Sequence, residues 1–276
     1  MQANNNSVHF ISGLPRSGST LLSAILRQNS QFCAGMSSPV ASLLGSVLPK
    51  MSGKSEYATF FTDERRRRVL ESLFNAYHYD DIKEKKLIFD TNRTWTAKLS
   101  LLNSMFPSSK VICCVREVPW VIDSVEKMVR RNPNHVSGIF QSKGSRNVYG
   151  RVKDLMDSQE GLVGLAWGSL REAWFGEHAD KLIVVRYESL VSDPCAVMSG
   201  LYEHLGEKLF KHDFENVEYQ EEEFDRQLGM PDLHKVKRKV ALERRTTILP
   251  PDLFMKYADM NFWENEKLNT KKVVVL

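Results

Sequence analysis

Apolar residues in this chain gather into short, nearly continuous runs, separated by longer stretches of mixed polarity. The runs cover residues 8–12, 87–90, 110–115 and 181–187. A run of about five apolar residues suits a strand that is buried on both faces of a parallel sheet. The pattern therefore predicts four buried strands.

Helical periodicity fills much of the chain between these runs. The predicted helices cover residues 20–27, 63–77, 96–106, a segment that starts at 119, 162–177 and 194–205. Thr62 or Asp63 is expected to cap the second helix, and Pro119 suits the first turn of the fourth. Strands that alternate with helices predict an α/β fold, with helices on both sides of a central, mainly parallel sheet. We expect one three-layer domain over residues 1–276.

Composition and charge narrow the classes of function. The 276 residues are 42% hydrophobic and 26% charged, and the net charge of +4 is too small to indicate a nucleic-acid partner. Four cysteines lack zinc-ligand spacing and a disulfide framework, so reduced thiols are expected at Cys33, Cys113, Cys114 and Cys195. The chain shows neither a signal peptide nor an apolar stretch of about 18 residues. We therefore expect a protein of the cytoplasm or another reducing compartment, without a membrane span.

A glycine-rich turn follows the first apolar run. Gly13, Gly18 and Thr20 match the phosphate-binding pattern G-x-x-x-x-G-K-[ST], but Ser19 stands at the lysine position and an arginine, Arg16, comes earlier. Backbone N–H groups in such a turn, followed by a helix N-terminus, bind anions. Without the lysine and an acidic magnesium-binding strand, triphosphate hydrolysis is disfavoured. Arg16 can instead hold a single phosphate through paired hydrogen bonds.

The segment HFISGLPRSGSTLLSAIL resembles the 5′-phosphosulfate loop of sulfotransferases, particularly the P-R-S-G-T-T-L form of the tyrosylprotein sulfotransferases. The donor of this family is 3′-phosphoadenosine-5′-phosphosulfate (PAPS), the product is PAP, and no metal takes part. The resemblance implies that Arg16 also stabilises charge on the leaving phosphate. The implied P-loop covers residues 13–21, with donor contacts from Gly13, Pro15, Arg16, Ser17, Gly18, Ser19 and Thr20.

Further segments resemble other parts of the same donor site. In the family, a strand ends in an arginine and a serine on the next helix joins it at the 3′-phosphate. Arg116 and Ser124, in KVICCVREVPWVIDS, match this pattern over residues 116–124. The segment LIVVRYESLVSDP implies that Tyr187 lies against the adenine. A closing segment, or lid, is expected at roughly 229–250, with donor contacts from Lys237 and Arg245.

The family's catalytic base has no counterpart here. Tyrosylprotein sulfotransferases carry a glutamate after the loop, where this chain has Ser37 within a stretch that lacks carboxylates from residue 13 to 54. Asp90 can accept the proton instead or serve as a strand-end hydrogen-bonding group, and Arg93 can replace a family lysine that stabilises the transferring group. Two polar stretches, EYQEEEFDR and residues 132–150, are interpreted as solvated surface and as a surface loop or lid.

The resemblance implies an enzyme that moves the sulfuryl group of PAPS to an acceptor hydroxyl, with a tyrosine in an acidic peptide or protein as one expected acceptor. A carbohydrate, lipid or small-molecule hydroxyl is the alternative within this class. A P-loop kinase and a nucleotide-binding module without catalysis are alternatives of other classes. The sequence leaves the oligomeric state open.

Overall fold

A parallel sheet of six strands forms the centre of the computed structural model, which describes residues 8–53, 55–84, 86–131, 147–227, 233–243 and 245–276. Its strands are β1 (Val8–Gly13), β2 (Phe32–Ala34), β3 (Leu87–Thr91), β4 (Val111–Val115), β5 (Leu182–Arg186) and β6 (Val274–Val275). Their order is β2-β3-β1-β4-β5-β6, and all neighbours run parallel. The carboxyl ends of the strands therefore meet at one edge, with β1 between β3 and β4.

The predicted strands are confirmed as β1, β3, β4 and β5. Two further strands, β2 and β6, have only three and two residues, too few to produce a recognisable apolar run. Because β6 pairs with β5, the C-terminal tail extends the sheet at one edge. The predicted α/β fold with a parallel sheet is thus confirmed.

Helices connect the strands and cover both faces of the sheet. They are α1 (Ser19–Leu26), α2 (Val40–Val47), α3 (Asp63–Tyr77), α4 (Tyr79–Lys83), α5 (Leu99–Met105), α6 (Val118–Arg131), α7 (Val148–Leu155), α8 (Gly164–Phe175), α9 (Tyr187–Ser192), α10 (Pro194–Leu205), α11 (Glu222–Gln227) and α12 (Pro251–Lys256). Short 3-10 helices cover Leu48–Met51, Glu56–Phe60, Trp95–Lys98, Ala179–Lys181, Ala258–Met260, Phe262–Glu264 and Glu266–Leu268. The helix predicted over 96–106 therefore begins as a 3-10 turn and continues as α5.

Side chains before the first turn fix the starts of two helices. Thr62, one of the two expected caps, accepts a hydrogen bond from the Arg65 N–H at 3.2 Å and so begins α3. Asp193 accepts from the Ala196 N–H at 3.0 Å ahead of α10, whose first residue is a proline. These local contacts explain why both helix starts were visible in the sequence.

Alternating residues of the central strands pack into two separate hydrophobic cores, one on each face of the sheet. Phe10 belongs to the apolar cluster on one face of the sheet and Ile11 to the cluster on the other. Cys113 and Cys114 divide in the same way. Burial raises the pKa of the Cys114 thiol to about 12, so this group stays protonated and unreactive. The described cysteines are free, as expected for reduced thiols.

Part of the expected surface loop at 132–150 lies outside the described residues, which resume at Asn147. The Asn147 side chain accepts a hydrogen bond from the Gly150 N–H at 2.9 Å and caps α7. Among the residues described, no helix combines the length and the hydropathy that crossing a membrane requires.

A buried histidine near the start of β1 predicts acid sensitivity. His9 accepts the Lys110 N–H at 3.0 Å through Nδ1, and burial, followed by the charges of Lys110 and Lys181, lowers its pKa from 6.5 to about 4. The imidazole of His9 therefore binds a proton below about pH 6.5 in the unfolded chain, but only below about pH 4 in the folded chain. This contribution to stability is complete above the unfolded pKa, and about 3 kcal/mol of it is lost as the pH falls through that window.

We expect the His9→Asn variant, which keeps an oxygen acceptor for Lys110, to show a flatter loss of stability over this pH range. Denaturant unfolding at several pH values measures it, and the acidic residues common to both proteins cancel in the difference. Parallel stability curves for the two proteins would refute the assignment.

Candidate active site

The glycine-rich turn is built directly against the end of β4. Gly13 has a φ of +110°, and a Cβ there would lie 2.1 Å from the carbonyl oxygen of Cys114. The Leu14 N–H donates to the same oxygen at 2.9 Å. Ser17, which is buried, donates through Oγ to the carbonyl oxygens of Cys114, at 2.8 Å, and of Leu14. The Ser17 hydroxyl therefore shapes the loop, and its backbone remains the part available to a ligand.

The turn leads into the N-terminus of α1. Gly18 precedes the helix with a φ of +93°, and a Cβ at this position would lie 2.9 Å from a ring carbon of Tyr187. No side chain caps the helix, and its first turn carries no acidic residue. The first amides of α1, at Ser19 and Thr20, thus retain the donor character of a helix N-terminus. Together with Pro15, which leads into the turn, they form the predicted anion cradle.

Arg16 joins segments that lie far apart in the sequence. Its Nε donates to the Ser124 Oγ of α6 at 3.3 Å, and its Nη1 donates to the Leu233 carbonyl at 2.8 Å. Arg16 adopts a left-handed backbone with a φ of +59°, which costs a residue other than glycine about 1 kcal/mol. Tertiary contacts hold this conformation, and they bring the two phosphate sites expected from the sequence together.

Arg116 follows β4 and lies against an aromatic ring. Its guanidinium carbon is 4.2 Å from the ring centroid of Tyr187, and its Nε is 3.9 Å from Glu188 Oε1. The Nε atom is buried and has no hydrogen-bond partner among the described residues. This donor is therefore available to an acceptor that the described residues do not supply. Through this stacking contact, Tyr187 orients the Arg116 guanidinium.

A third arginine completes a concentration of positive charge, here called the arginine cluster: Arg16, Arg116 and Arg245. Desolvation, and next the charge of Arg245, lowers the pKa of both Arg16 and Arg116. Arg245 itself lies 5.4 Å from the ring centroid of Trp120. Three neighbouring guanidinium groups form a site suited to a polyanion.

A buried carboxylate attaches the segment that carries Arg245 to α6. Asp123 accepts hydrogen bonds from the Thr247 hydroxyl at 2.9 Å and the Ile248 N–H at 2.7 Å, and it pairs with Lys127 at 2.9 Å. Burial acts to raise the pKa of Asp123, but these partners outweigh it, so its pKa is lowered. Asp123 was not identified from the sequence, because its position within α6 gave no sign of its partners. Because Asp123 directly precedes Ser124, its hydrogen bonds to Thr247 and Ile248 hold the segment after Arg245 beside the arginine cluster.

Lys237 does not join the arginine cluster. Its side chain is 74% exposed and pairs with Glu243 at 2.5 Å on the outer surface. Its ammonium is therefore engaged by Glu243 in this structure, and the donor contact expected of Lys237 stays a prediction. Of the lid expected at 229–250, residues 229–232 and 244 lie outside the described residues.

Asp90 is structural in this geometry. The residue is 1% exposed, and its two carboxylate oxygens are taken by His78 Nε2 at 2.9 Å and by the indole N–H of Trp95 at 2.8 Å. Of the two roles expected for Asp90, burial and these two partners favour the strand-end hydrogen-bonding group over the base.

Arg93 and Ser37 both lie at the carboxyl edge of the sheet. The Arg93 carbonyl accepts from Ser12 Oγ at 2.9 Å, and among the described residues no side chain hydrogen-bonds the guanidinium of this exposed arginine. Desolvation lowers the pKa of Arg93. Ser37 is half-buried in the loop after β2, where the Ser38 N–H donates to the Thr91 carbonyl at 2.8 Å. Both positions remain open to a catalytic role.

The acidic stretch EYQEEEFDR is not solvated surface throughout, which corrects the expectation. Tyr219 is 7% exposed, accepts the Met36 N–H at 2.7 Å and donates to Glu221 at 2.9 Å. It therefore packs against the loop that holds Ser37. Asp225 is 1% exposed and contacts His234. Carboxylates thus reach the site from the C-terminal part of the chain.

Comparison with known proteins identifies the family of this chain. The model of the Sulfotransferase family matches residues 9–212. A sulfotransferase from Alicyclobacillus acidocaldarius is 14% identical over 80% of this chain and 88% of its own, with a TM-score of 0.50. Two sulfotransferase domains are each 20% identical to the present chain. The domain of the curacin biosynthetic pathway covers 98% of this chain and 91% of its own with a TM-score of 0.46, and that of the Synechococcus PCC 7002 olefin synthase covers 74% of each with 0.43.

These structural likenesses concern the fold alone, and a search of the curated proteins gives no significant match. The family match carries more weight, because it spans well over half of the chain and includes the glycine-rich loop, Arg116, Ser124 and Tyr187. The chain therefore belongs to the Sulfotransferase family, and the enzyme class expected from its sequence is confirmed.

Proposed function

We propose that this sulfotransferase uses PAPS as its donor and transfers the sulfuryl group to an acceptor hydroxyl, with PAP as the product. The observation that carries the proposal is the contact between Arg16 and Ser124, 3.3 Å from Nε to Oγ. It joins the glycine-rich loop to the Arg116 segment as one site with two places for phosphate. A ligand with two separated phosphates, rather than a magnesium-bound triphosphate, fits this arrangement.

Each part of the site has a role in this proposal. The loop amides at Gly13, Gly18 and Ser19, with Arg16, hold the 5′-phosphosulfate, and Arg116 Nε and Ser124 hold the 3′-phosphate. The fit rests on the buried, unpartnered Nε of Arg116. Tyr187, which supports Arg116, contributes an aromatic edge toward the adenine. When bound, PAPS supplies an activated sulfuryl group, whose release leaves negative charge on the 5′-phosphate.

The chain stabilises that charge by groups that are already in place. The N-terminus of α1 offers N–H donors to a phosphate in the loop, and the Arg16 guanidinium, held by Ser124 and the Leu233 carbonyl, adds positive charge beside it. Arg93 adds an exposed cation on the acceptor side of the sheet edge. These groups favour transfer through leaving-group stabilisation, so a phenol, which ionises near pH 10, needs less activation than an aliphatic alcohol.

For this reason we propose a tyrosine of a peptide as the acceptor, with acidic neighbours that face Arg93. A carbohydrate, lipid or small-molecule hydroxyl is the competing outcome of the test. We also propose that the protein works in the cytoplasm, where its adjacent buried thiols at Cys113 and Cys114 stay reduced.

The test combines binding and transfer. Calorimetry with PAP measures the donor site, and incubation with PAPS and either an acidic tyrosine peptide or a panel of sugars measures transfer. We expect PAP binding and sulfation of the peptide. Sulfation of sugars alone would overturn the tyrosine proposal. ATP turnover would favour the kinase alternative, and PAP binding without any transfer would favour the non-catalytic module.

A further inference from the structure

The site has cations for the donor but lacks the expected base in the segment after the loop. No carboxylate occurs between residues 13 and 54, and Asp90 is enclosed. A proton acceptor for the incoming hydroxyl must therefore come from another part of the chain. General acid–base groups contribute about 10²–10⁴-fold to enzymatic rates, so such a group has a large expected effect.

A histidine and a buried aspartate form a dyad in the C-terminal part of the chain. His234 Nδ1 lies 2.5 Å from Asp225 Oδ1, and the His234 backbone N–H donates to Asp225 Oδ2 at 2.9 Å. The carboxylate side chain is 2% exposed and that of the imidazole 16%. An ionised carboxylate can only accept, so the contact favours the tautomer in which Nδ1 donates to Asp225 and Nε2 is the nitrogen that can accept a proton.

Contacts to Asp225 and Phe224 fix the orientation of this imidazole. Both Asp225 oxygens engage the same residue, and the Phe224 ring meets the imidazole edge-on with centroids 5.4 Å apart. Within the described part of the chain, Nε2 has no hydrogen-bond partner. An imidazole held by a carboxylate through Nδ1 is also the arrangement by which the histidine of a Ser-His-Asp triad takes a proton from a hydroxyl.

The dyad lies beside the donor loop. Arg16 donates to the carbonyl of Leu233, the residue that precedes His234. The charge of Asp225 acts on the Arg16 guanidinium and raises its pKa, against the larger lowering by desolvation and Arg245. One arginine thus contacts the glycine-rich loop, Ser124 and the backbone that carries the imidazole.

We propose that His234 is the catalytic base and that Asp225 is its positioning residue, an inference that rests on the proposed PAPS-dependent function. His234 Nε2 takes the proton of the acceptor hydroxyl as the acceptor oxygen forms a bond to sulfur. The bond between sulfur and the 5′-phosphate oxygen breaks, its electron pair stays on PAP, and His234 later returns the proton to water.

Glu221 is the competing group, because Tyr219 places it beside the loop of Ser37. Its Oε1 already accepts the Tyr219 hydroxyl at 2.9 Å, and that hydroxyl accepts the Met36 N–H. This chain of hydrogen bonds gives Glu221 a role in supporting the loop. The Glu221→Gln variant, which keeps an acceptor for Tyr219, is therefore expected to retain turnover.

The experiment compares His234→Gln, His234→Ala and Glu221→Gln with the control His204→Gln, an exposed position in the last turn of α10. The probe is PAP release from PAPS, with N-acetyltyrosine amide or water as acceptor, and calorimetry with PAP measures donor binding separately. We expect kcat to fall by about 100-fold or more in both His234 variants, with unchanged PAP affinity. Added imidazole should restore part of the rate to His234→Ala alone, which a purely structural role would not allow.

Several results would overturn the inference. They are a normal kcat in His234→Gln, a loss of turnover confined to Glu221→Gln, or a loss of PAP affinity as large as the loss of turnover. Failure of the proposed function gives a different result, since wild-type protein would then bind no PAP or would release none from PAPS.

Discussion

Replacing Arg116 with alanine is expected to weaken PAP binding by at least about 30-fold, and replacing Arg16 is expected to do the same. Truncating one partner of a buried, hydrogen-bonded charge pair costs about 2–5 kcal/mol, and each 1.4 kcal/mol is about tenfold in affinity. Arg116 has a buried Nε without a hydrogen-bond partner among the described residues, and Arg16 connects the glycine-rich loop to Ser124. Calorimetric titration with PAP measures both losses.

Two further variants separate geometry from charge. Arg116→Lys keeps the charge but loses the planar fork and the stacking on Tyr187, so we expect intermediate affinity. Arg68→Ala removes an exposed arginine of α3, whose partner Glu64 is 3.9 Å away, and should leave PAP binding unchanged. Equal affinities for the wild type and both alanine variants of the site would contradict the donor assignment.

The donor site was visible in the sequence because its parts are local. Gly13 and Gly18 need their backbone conformations within one turn, and Arg116 and Ser124 lie on one strand–helix unit. The spacing of residues within such a local unit does not depend on the fold of the rest of the chain. The contact between Arg16 and Ser124 joins residues 108 positions apart, and only the order of β1 and β4 in the sheet reveals it.

The acceptor side was not predictable in the same way. In the acidic stretch, Tyr219 and Asp225 are buried: the Val236 N–H donates to the Tyr219 carbonyl at 3.1 Å, and Asp225 contacts His234. No periodicity signals such pairing. Likewise, the density of cations near the C-terminus did not indicate that Arg245 lies against the Trp120 ring while Lys237 pairs with Glu243.

Asp90 is expected to contribute strongly to stability and little to turnover. Asp90→Ala leaves His78 Nε2 and the Trp95 indole N–H buried without acceptors, which costs about 2–5 kcal/mol of unfolding free energy. Asp90→Asn keeps an oxygen for Trp95 and offers an N–H to His78, so it should lose only about 1 kcal/mol. Denaturant unfolding measures both changes.

The exposed neighbour Asp80, in α4, provides the matched control, since Asp80→Ala should change stability by less than about 0.5 kcal/mol. Turnover distinguishes the two roles of Asp90, because PAP release by folded Asp90→Asn should stay near the wild-type rate. A variant of normal stability and PAP affinity that has lost turnover would restore Asp90 as the base and remove His234 from that role. Asp90 and His234 therefore make opposite predictions, since truncating the buried carboxylate lowers stability whereas replacing the partly exposed imidazole lowers kcat.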